Sequence, residues 1–237
     1  MAAYYYNRAA QWGKEVSICY KHDAMMFGSG IPEVERGGMG GAAPFMWQAD
    51  AAIAKNSWCY TDSLEYKTAR QIICDLIRTV SKNGNLLLNV GPKGDGSIPE
   101  PDREILKEIG QWMKVNGEAI YESRPWRTWK EGPAPEPEGQ FCDQEAISYT
   151  REDIWFTARG DSIYSVLLNY PEDGKIRIRS LAQSANQDRP GFHGLIRQVQ
   201  VLGQKSKPAW RQDLQGLYVE GEPGKLELPV VVKVQII

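Results

Sequence analysis

The sequence predicts an α/β unit over residues 1–130 and a β-sandwich over residues 140–237, joined by a linker at 131–139. Three observations carry this. Helical and buried-strand patterns alternate in the first part, and only strand patterns occur in the last. Between them, Glu131-Gly132-Pro133-Ala134-Pro135-Glu136-Pro137-Glu138-Gly139 sets three prolines, which lack N–H donors, among acidic residues that repel one another. Alternation of helix and strand marks a β/α barrel or a doubly wound sheet.

Taken in order, Val16 to Tyr20 and Ile31 to Glu35 are short extended runs. Leu64 to Val80 has apolar residues at Leu64, Ala69, Ile72, Ile73, Leu76, Ile77 and Val80, near helical spacing, with Asp62 or Ser63 as cap and Asn83-Gly84 as stop. Leu86 to Val90 is a continuous apolar run between Gly84 and Gly91, the form of a strand buried on both faces. Pro101 to Val115 is a second helix, with Ile105, Leu106, Ile109, Trp112 and Met113 on one side and Asn116-Gly117 as its stop. Beyond the linker, Asp153 to Thr157, Ser162 to Tyr170, Gly174 to Ser180, Leu195 to Leu202, Gly216 to Glu220 and Val230 to Ile237 are strands joined by Gly, Pro and Asp turns.

Composition narrows the function classes. The 237 residues are 42% apolar with a net charge of -2, typical of a globular protein. The first 139 residues carry 16 basic and 18 acidic side chains and the remainder 12 of each, so neither part has the cationic field expected of a nucleic-acid binder. No apolar run approaches the ~20 residues of a membrane helix, so no membrane partner is expected. Met1 precedes Ala2-Ala3-Tyr4 rather than a basic and then apolar leader, so no export signal is expected and the compartment stays open. Cys19, Cys59, Cys74 and Cys142 form no CxxC pair, and His22 and His193 lie in different halves. No metal, cofactor or hydrolase triad is therefore expected.

Glu33 and Glu35 alternate along Ile31 to Glu35 and share one strand face, with Arg36 pointing the other way. Two carboxylates ~7 Å apart disfavour joint ionisation, which suits a proton donor at neutral pH. The alternative is that both are solvated at a strand end beside Arg36. Trp47, Trp58, Tyr60, Trp112, Trp126 and Trp129 supply aromatic faces of the kind that stack on sugars. Trp112 lies on an apolar helix face and belongs to a core, whereas Trp47 and Trp58 flank loop-like sequence and are candidates for a carbohydrate cleft. Gly91-Pro92-Lys93-Gly94-Asp95-Gly96 sits between strand and helix, where phosphate loops occur, but lacks the Gly-Lys-Ser/Thr ending and reads as a plain βα turn. Trp155, Tyr164 and Trp210 in the second part form either a sugar platform or packing.

The stretch Val80-Ser81-Lys82-Asn83-Gly84-Asn85-Leu86-Leu87-Leu88-Asn89-Val90-Gly91-Pro92-Lys93-Gly94-Asp95-Gly96 resembles a signature of the α-L-fucosidases of glycoside hydrolase family 29. Asn116-Gly117-Glu118-Ala119-Ile120-Tyr121 followed by Pro125-Trp126, and Ser57-Trp58-Cys59-Tyr60, match the same family, so the resemblance covers about residues 4 to 127 in order. It implies a (β/α) TIM-like barrel followed by a C-terminal β-sandwich. It also implies a retaining hydrolysis of α-L-fucosides, with an aspartate nucleophile and a glutamate acid/base ~5–5.5 Å apart.

By that resemblance Glu35 occupies the acid/base position, with Glu33 as fallback, and Lys21 aligns with a basic residue that binds fucose hydroxyls. Trp58 matches an aromatic that packs against the apolar side of fucose, including its methyl. Several relatives carry glutamate after the tryptophan matching Trp47, where this chain has Gln48. The chain begins after the family's nucleophilic aspartate. The resemblance therefore implies the C-terminal half of the barrel plus the sandwich, as a fragment, a truncated gene product or one piece of a split enzyme, inactive alone, with a missing N-terminal half or a homo-oligomer as the expected protein partner. The expected partner is a fucosylated oligosaccharide or glycoconjugate. The competing class is a non-catalytic carbohydrate-binding or interaction protein that keeps the sandwich and a remnant cleft.

Overall fold

The computed structural model describes residues 1–143, 147–184 and 191–237. Its first part runs α1 (Ala2–Trp12), β1 (Cys19–Lys21), β2 (Ile31–Glu35), β3 (Trp47–Ala52), α2 (Ala69–Val80), β4 (Gly84–Asn89) and α3 (Glu100–Asn116). The four strands make one parallel sheet in the order β1-β2-β3-β4, with β1 and β4 at its edges. Strand order follows chain order without reversal, so the sheet winds in one direction and has no doubly wound switch point.

Register decides which side chains share a face. Lys21 lies opposite Glu33, Glu33 opposite Gln48, Glu35 opposite Asp50, and Asp50 opposite Leu87. Because side chains alternate along a strand, these residues fall on one face, while Trp47, Ala49, Ala51 and Leu86 fall on the other. The second face is covered by α2 and by residues 137–143: Asp75, Arg78 and Thr79 of the helix, Lys82 just after it, and Pro137, Cys142 and Asp143 close a small cavity against Ala49, Ala51 and Leu86. The first carries the polar residues.

Several expectations change here. β3 was not apparent as a strand, since Trp-Gln-Ala-Asp-Ala-Ala has little β-branched or aromatic content, yet it pairs on both sides. β4 is not buried on both faces: Leu86 and Leu88 are half-buried and Leu87 is 53% exposed among the polar residues. The helix expected from Leu64 starts at Ala69, because Thr68 and Gln71 form a reciprocal capping box. Before it, Glu65 and Lys67 exchange backbone bonds with Lys55 and Ile53 and are held extended. The Gly91 to Gly96 turn binds its own groups, Lys93 N donating to Ser97 O and Gly96 N to Lys93 O, and α3 starts only after Pro99.

The second part comprises β5 (Arg124–Glu131), β6 (Ile154–Arg159), β7 (Ser162–Leu167), β8 (Lys175–Ile178), β9 (Ile196–Val201), β10 (Ala209–Asp213), β11 (Gly216–Glu220) and β12 (Val230–Ile236). They form a five-stranded sheet, β5-β6-β7-β12-β9, and a three-stranded sheet, β10-β11-β8. Ile154, Phe156, Ile163, Ile178, Leu217, Val232 and Val234 fill the space between them. The larger sheet is also covered on its other side, where Trp155, Tyr164, Val166 and Val231 pack with Ile73, Ile77 and Trp112 of α2 and α3. Being covered twice is why every residue of β7 is buried. Trp155 and Tyr164 are thus packing between the two parts and not a sugar platform, and Trp112 secures the contact by donating from Nε1 to Pro229 O at 2.7 Å.

The linker expectation is corrected as well. Glu131 ends β5, its carboxylate accepting from Arg179 N and Ser180 N at 2.9 and 2.7 Å. Gly132 lies at φ +101°, where a Cβ would meet Glu152 O and Asp153 Oδ1 at 2.5 Å, so only glycine fits. Ala134 is buried and donates to Asp153 Oδ1 at 2.6 Å. Glu136 accepts from Arg78 and Lys82. Residues 132–143 are therefore a strap tied to the α/β part, its glutamate opposed by cations.

Candidate active site

Lys21 closes β1, Glu35 closes β2 and Asn89 closes β4, so the polar face ends at the carboxyl edge of a parallel sheet, where ligand sites of such sheets lie. Lys21 Nζ donates to Glu35 Oε2 at 2.7 Å and to Asp50 Oδ2 at 2.9 Å, with Glu33 Oε1 at 3.6 Å. Burial alone would lower the Lys21 pKa, but the hydrogen bonds to Glu35 and Asp50 and their charges outweigh it and raise the pKa above the ordinary lysine value. The ammonium thus stays charged across the working range. Two of its three N–H donors are engaged by hydrogen bonds, leaving the third for Glu33 or a substrate hydroxyl.

The two glutamates differ. Gln48 Nε2 donates to Glu33 Oε2, and the Glu33 side chain is 13% exposed against 23% for Glu35. Glu35 is the more accessible carboxylate. Immediately after it, Arg36 takes φ +46° and turns its side chain into the interior, where it is 4% exposed. Its guanidinium carbon stands 5.2 Å from the centre of the Trp58 ring, so Trp58 is stacked next to the residue that follows Glu35. Asn89 Nδ2 donates to Trp58 O at 2.8 Å from the end of β4.

Of the sequence candidates, the structure brings Lys21, Glu33 and Glu35 together, while Trp58 contacts Arg36, the residue after Glu35, and Asn89 at the end of β4. Trp47 is a correction. It has no exposed surface, donates from Nε1 to Lys82 O at 2.9 Å, and lies on the helix-facing side of β3. It is core and offers no face to a sugar. Asp50 was missed: it completes the Lys21 cluster, and one of its oxygens, Oδ1, is buried without a hydrogen-bond partner. The signal was the alternation Gln48-Ala49-Asp50, legible only once β3 is known to be a strand.

Two family models match the chain, α-L-fucosidase over residues 2–118 and the α-L-fucosidase C-terminal domain over residues 148–230. The chain belongs to the α-L-fucosidase family. Among α-L-fucosidase relatives, the plasma enzyme of Rattus norvegicus is 34% identical over 171 residues, 70% of this chain and 32% of that protein. The tissue α-L-fucosidase of Bos taurus is 35% identical over 137 residues, 56% and 25% of the respective chains. A solved α-L-fucosidase superposes with a TM-score of 0.72 at 23% identity, covering 98% of this chain and 47% of that one. The Thermotoga maritima α-fucosidase in complex with fucose gives 0.69 at 24% identity with the same coverage. At such identities the likeness shows the fold. The chain spans about a third or less of the length of these curated α-L-fucosidases and just under half of the solved ones.

Proposed function

We propose that this chain forms the second half of a (β/α) barrel and the C-terminal sandwich of a retaining α-L-fucosidase acting on fucosylated glycans. The observation that carries the reading is Glu35 at the carboxyl edge of the sheet, 2.7 Å from Lys21, within the stretch matched by the catalytic family model. Single-direction strand order, with the polar face left open, supports one wall of a barrel.

Glu35 is the acid/base. It protonates the leaving glycosidic oxygen and afterwards takes a proton from the water that releases the sugar. Lys21 binds fucose hydroxyls and fixes the carboxylates around them. Trp58 packs against the apolar side of the sugar, where each buried methyl contributes about 0.8 kcal/mol. Glu33, tied by Gln48, is the fallback. The nucleophile must approach from the side opposite the acid, and Glu33, Glu35 and Asp50 all project from one wall. The chain by itself is therefore inactive, and a polypeptide carrying the other barrel wall completes it.

The test is hydrolysis of an aryl α-L-fucoside by the purified chain, alone and mixed with a polypeptide carrying the first barrel strands of a family member. Expected are no turnover alone, turnover in the mixture, and at least a 100-fold loss with Glu35→Gln. Turnover by the chain alone would overturn the half-site reading, and turnover insensitive to Glu35→Gln would overturn the residue assignment. Fucose binding with no turnover in any mixture would favour the non-catalytic carbohydrate-binding reading.

A further inference from the structure

The strap returns to the exit of β2. Gly38 and Gly139 exchange backbone hydrogen bonds at 3.0 and 2.9 Å, Phe141 N donates to Glu35 O at 2.9 Å, and Asp143 N donates to Arg36 O at 3.0 Å. The contact is close: a Cβ on Gly37 would stand 1.8 Å from Gly139 O. A segment that follows the first sandwich strand thus pairs with the two residues at the edge of the candidate active site.

Side chains continue the link. The Asp143 carboxylate, 6% exposed, accepts from Arg36 Nε at 3.3 Å and from Lys67 Nζ at 2.6 Å, and Lys67 also meets Asp75 at 3.5 Å. Arg36 Nη2 donates to Ala54 O and Lys55 O at 3.0 and 2.6 Å, and its planar head lies beside Trp58. One guanidinium is therefore held by the strap and by the loop after β3, and it supports the aromatic wall while its backbone continues from Glu35. Replacing a buried ion network with apolar residues is on average neutral for stability, so stability alone does not account for it. A satisfied network of this kind is rigid, which suits it to holding one geometry.

We propose that Asp143 is a positioning residue of the fucosidase site: by anchoring Arg36 it sets the place of Trp58 and of the strand end that presents Glu35. The proposal rests on the reading of Glu35 and Trp58 as site residues. It couples the strap with the catalytic edge, so that a segment outside the parallel sheet contributes to the site without touching the sugar. Arg36 suits the role because its planar fork serves two carbonyls and a carboxylate while its face stacks on an indole, which a lysine cannot do.

The test uses the full chain labelled with 5-fluorotryptophan, the Trp58 fluorine signal being assigned by its loss in Trp58→Phe. Asp143→Asn is expected to shift or broaden the Trp58 signal while those of Trp112 and Trp155 stay in place. It is also expected to speed amide exchange at Phe141 by about tenfold or more, the factor carried by a lost charge-assisted hydrogen bond. Asp143→Glu is expected to restore the Trp58 signal. If Asp143→Asn does not fold, Arg36→Lys decides, with the same displacement of Trp58 expected. An unmoved Trp58 signal in either folded variant overturns the proposal, as does displacement of all tryptophan signals together. The readout needs no turnover, so failure of the fucosidase reading would appear separately, in the hydrolysis assay.

Discussion

Glu136→Gln separates a strap from a free linker by a measurable margin. The Glu136 side chain is 7% exposed, Oε1 accepting from Arg78 Nε at 3.1 Å and Oε2 from Lys82 Nζ at 2.7 Å. Lys82 is 2% exposed, and burial lowers its pKa although the Glu136 charge and hydrogen bond oppose that. Glutamine keeps the shape but leaves Arg78 and Lys82 buried without this counter-charge. Removing one partner of a buried pair costs about 3–5 kcal/mol, whereas an exposed pair contributes about 0–1. At about 2–4 °C per kcal/mol for a chain of this size, the melting temperature should fall by on the order of 10 °C. The assay is thermal unfolding followed by circular dichroism, with the exposed Glu138→Gln as control, expected within about 0.5 kcal/mol of the parent. Burial already lowers the folded Lys82 pKa, and loss of the Glu136 charge lowers it further. Above that folded pKa the unfolded state holds more protons, and the deficit narrows as pH rises toward the ordinary lysine value of about 10.5. A loss below about 1 kcal/mol would refute the reasoning and return residues 132–143 to a loosely tethered connection.

The two tryptophans offered by the sequence should part company. Trp47→Ala is expected to cost about 3–5 kcal/mol in urea unfolding through the cavity it leaves, while Trp58→Ala, at a half-buried position, costs less and weakens binding of an aryl fucoside in equilibrium titration. Burial pushes the Cys74 thiol up to about 12, so the unfolded state loses this proton first and stability falls as pH rises from about 9 toward 12, by about 1.4 kcal/mol per pH unit. Cys74→Ala should flatten that alkaline limb, and iodoacetamide at pH 9 should label the exposed Cys19 and Cys59 of the native chain while sparing Cys74.

Local signals were legible where one interaction dominates. The apolar run of β4, the spacing of α3 with its Asn116-Gly117 end, and the alternation of the sandwich strands each depend on a chain interval of a few residues. What escaped depends on contacts far apart in sequence. The run Glu131 to Gly139 looks like a repelling acidic linker only while Arg78, Lys82 and Asp153 are out of sight, since these supply its cations and its acceptor from up to 58 residues away. β3 lacks strand-forming residues because its covered face must be small: Ala49 and Ala51 leave room for α2, and Gly84 lets the Trp47 ring lie against β4, a Cβ there standing 2.6 Å from it.

The same register explains the candidate site. Glu33 and Glu35 share a face by strand alternation and could be paired from sequence, but their alignment with Lys21 and Asp50 requires three strands to keep their pairing. A slip of one residue in β3 would send Gln48 and Asp50 under α2 and bring Trp47 and Ala49 to the polar face. The fully buried Trp47, bonded to Lys82 O, opposes that slip, since exposing it would forfeit its packing and leave that hydrogen bond unmade. The tryptophan that seemed suited to hold a sugar instead holds the strand whose next two polar residues complete the Lys21 cluster.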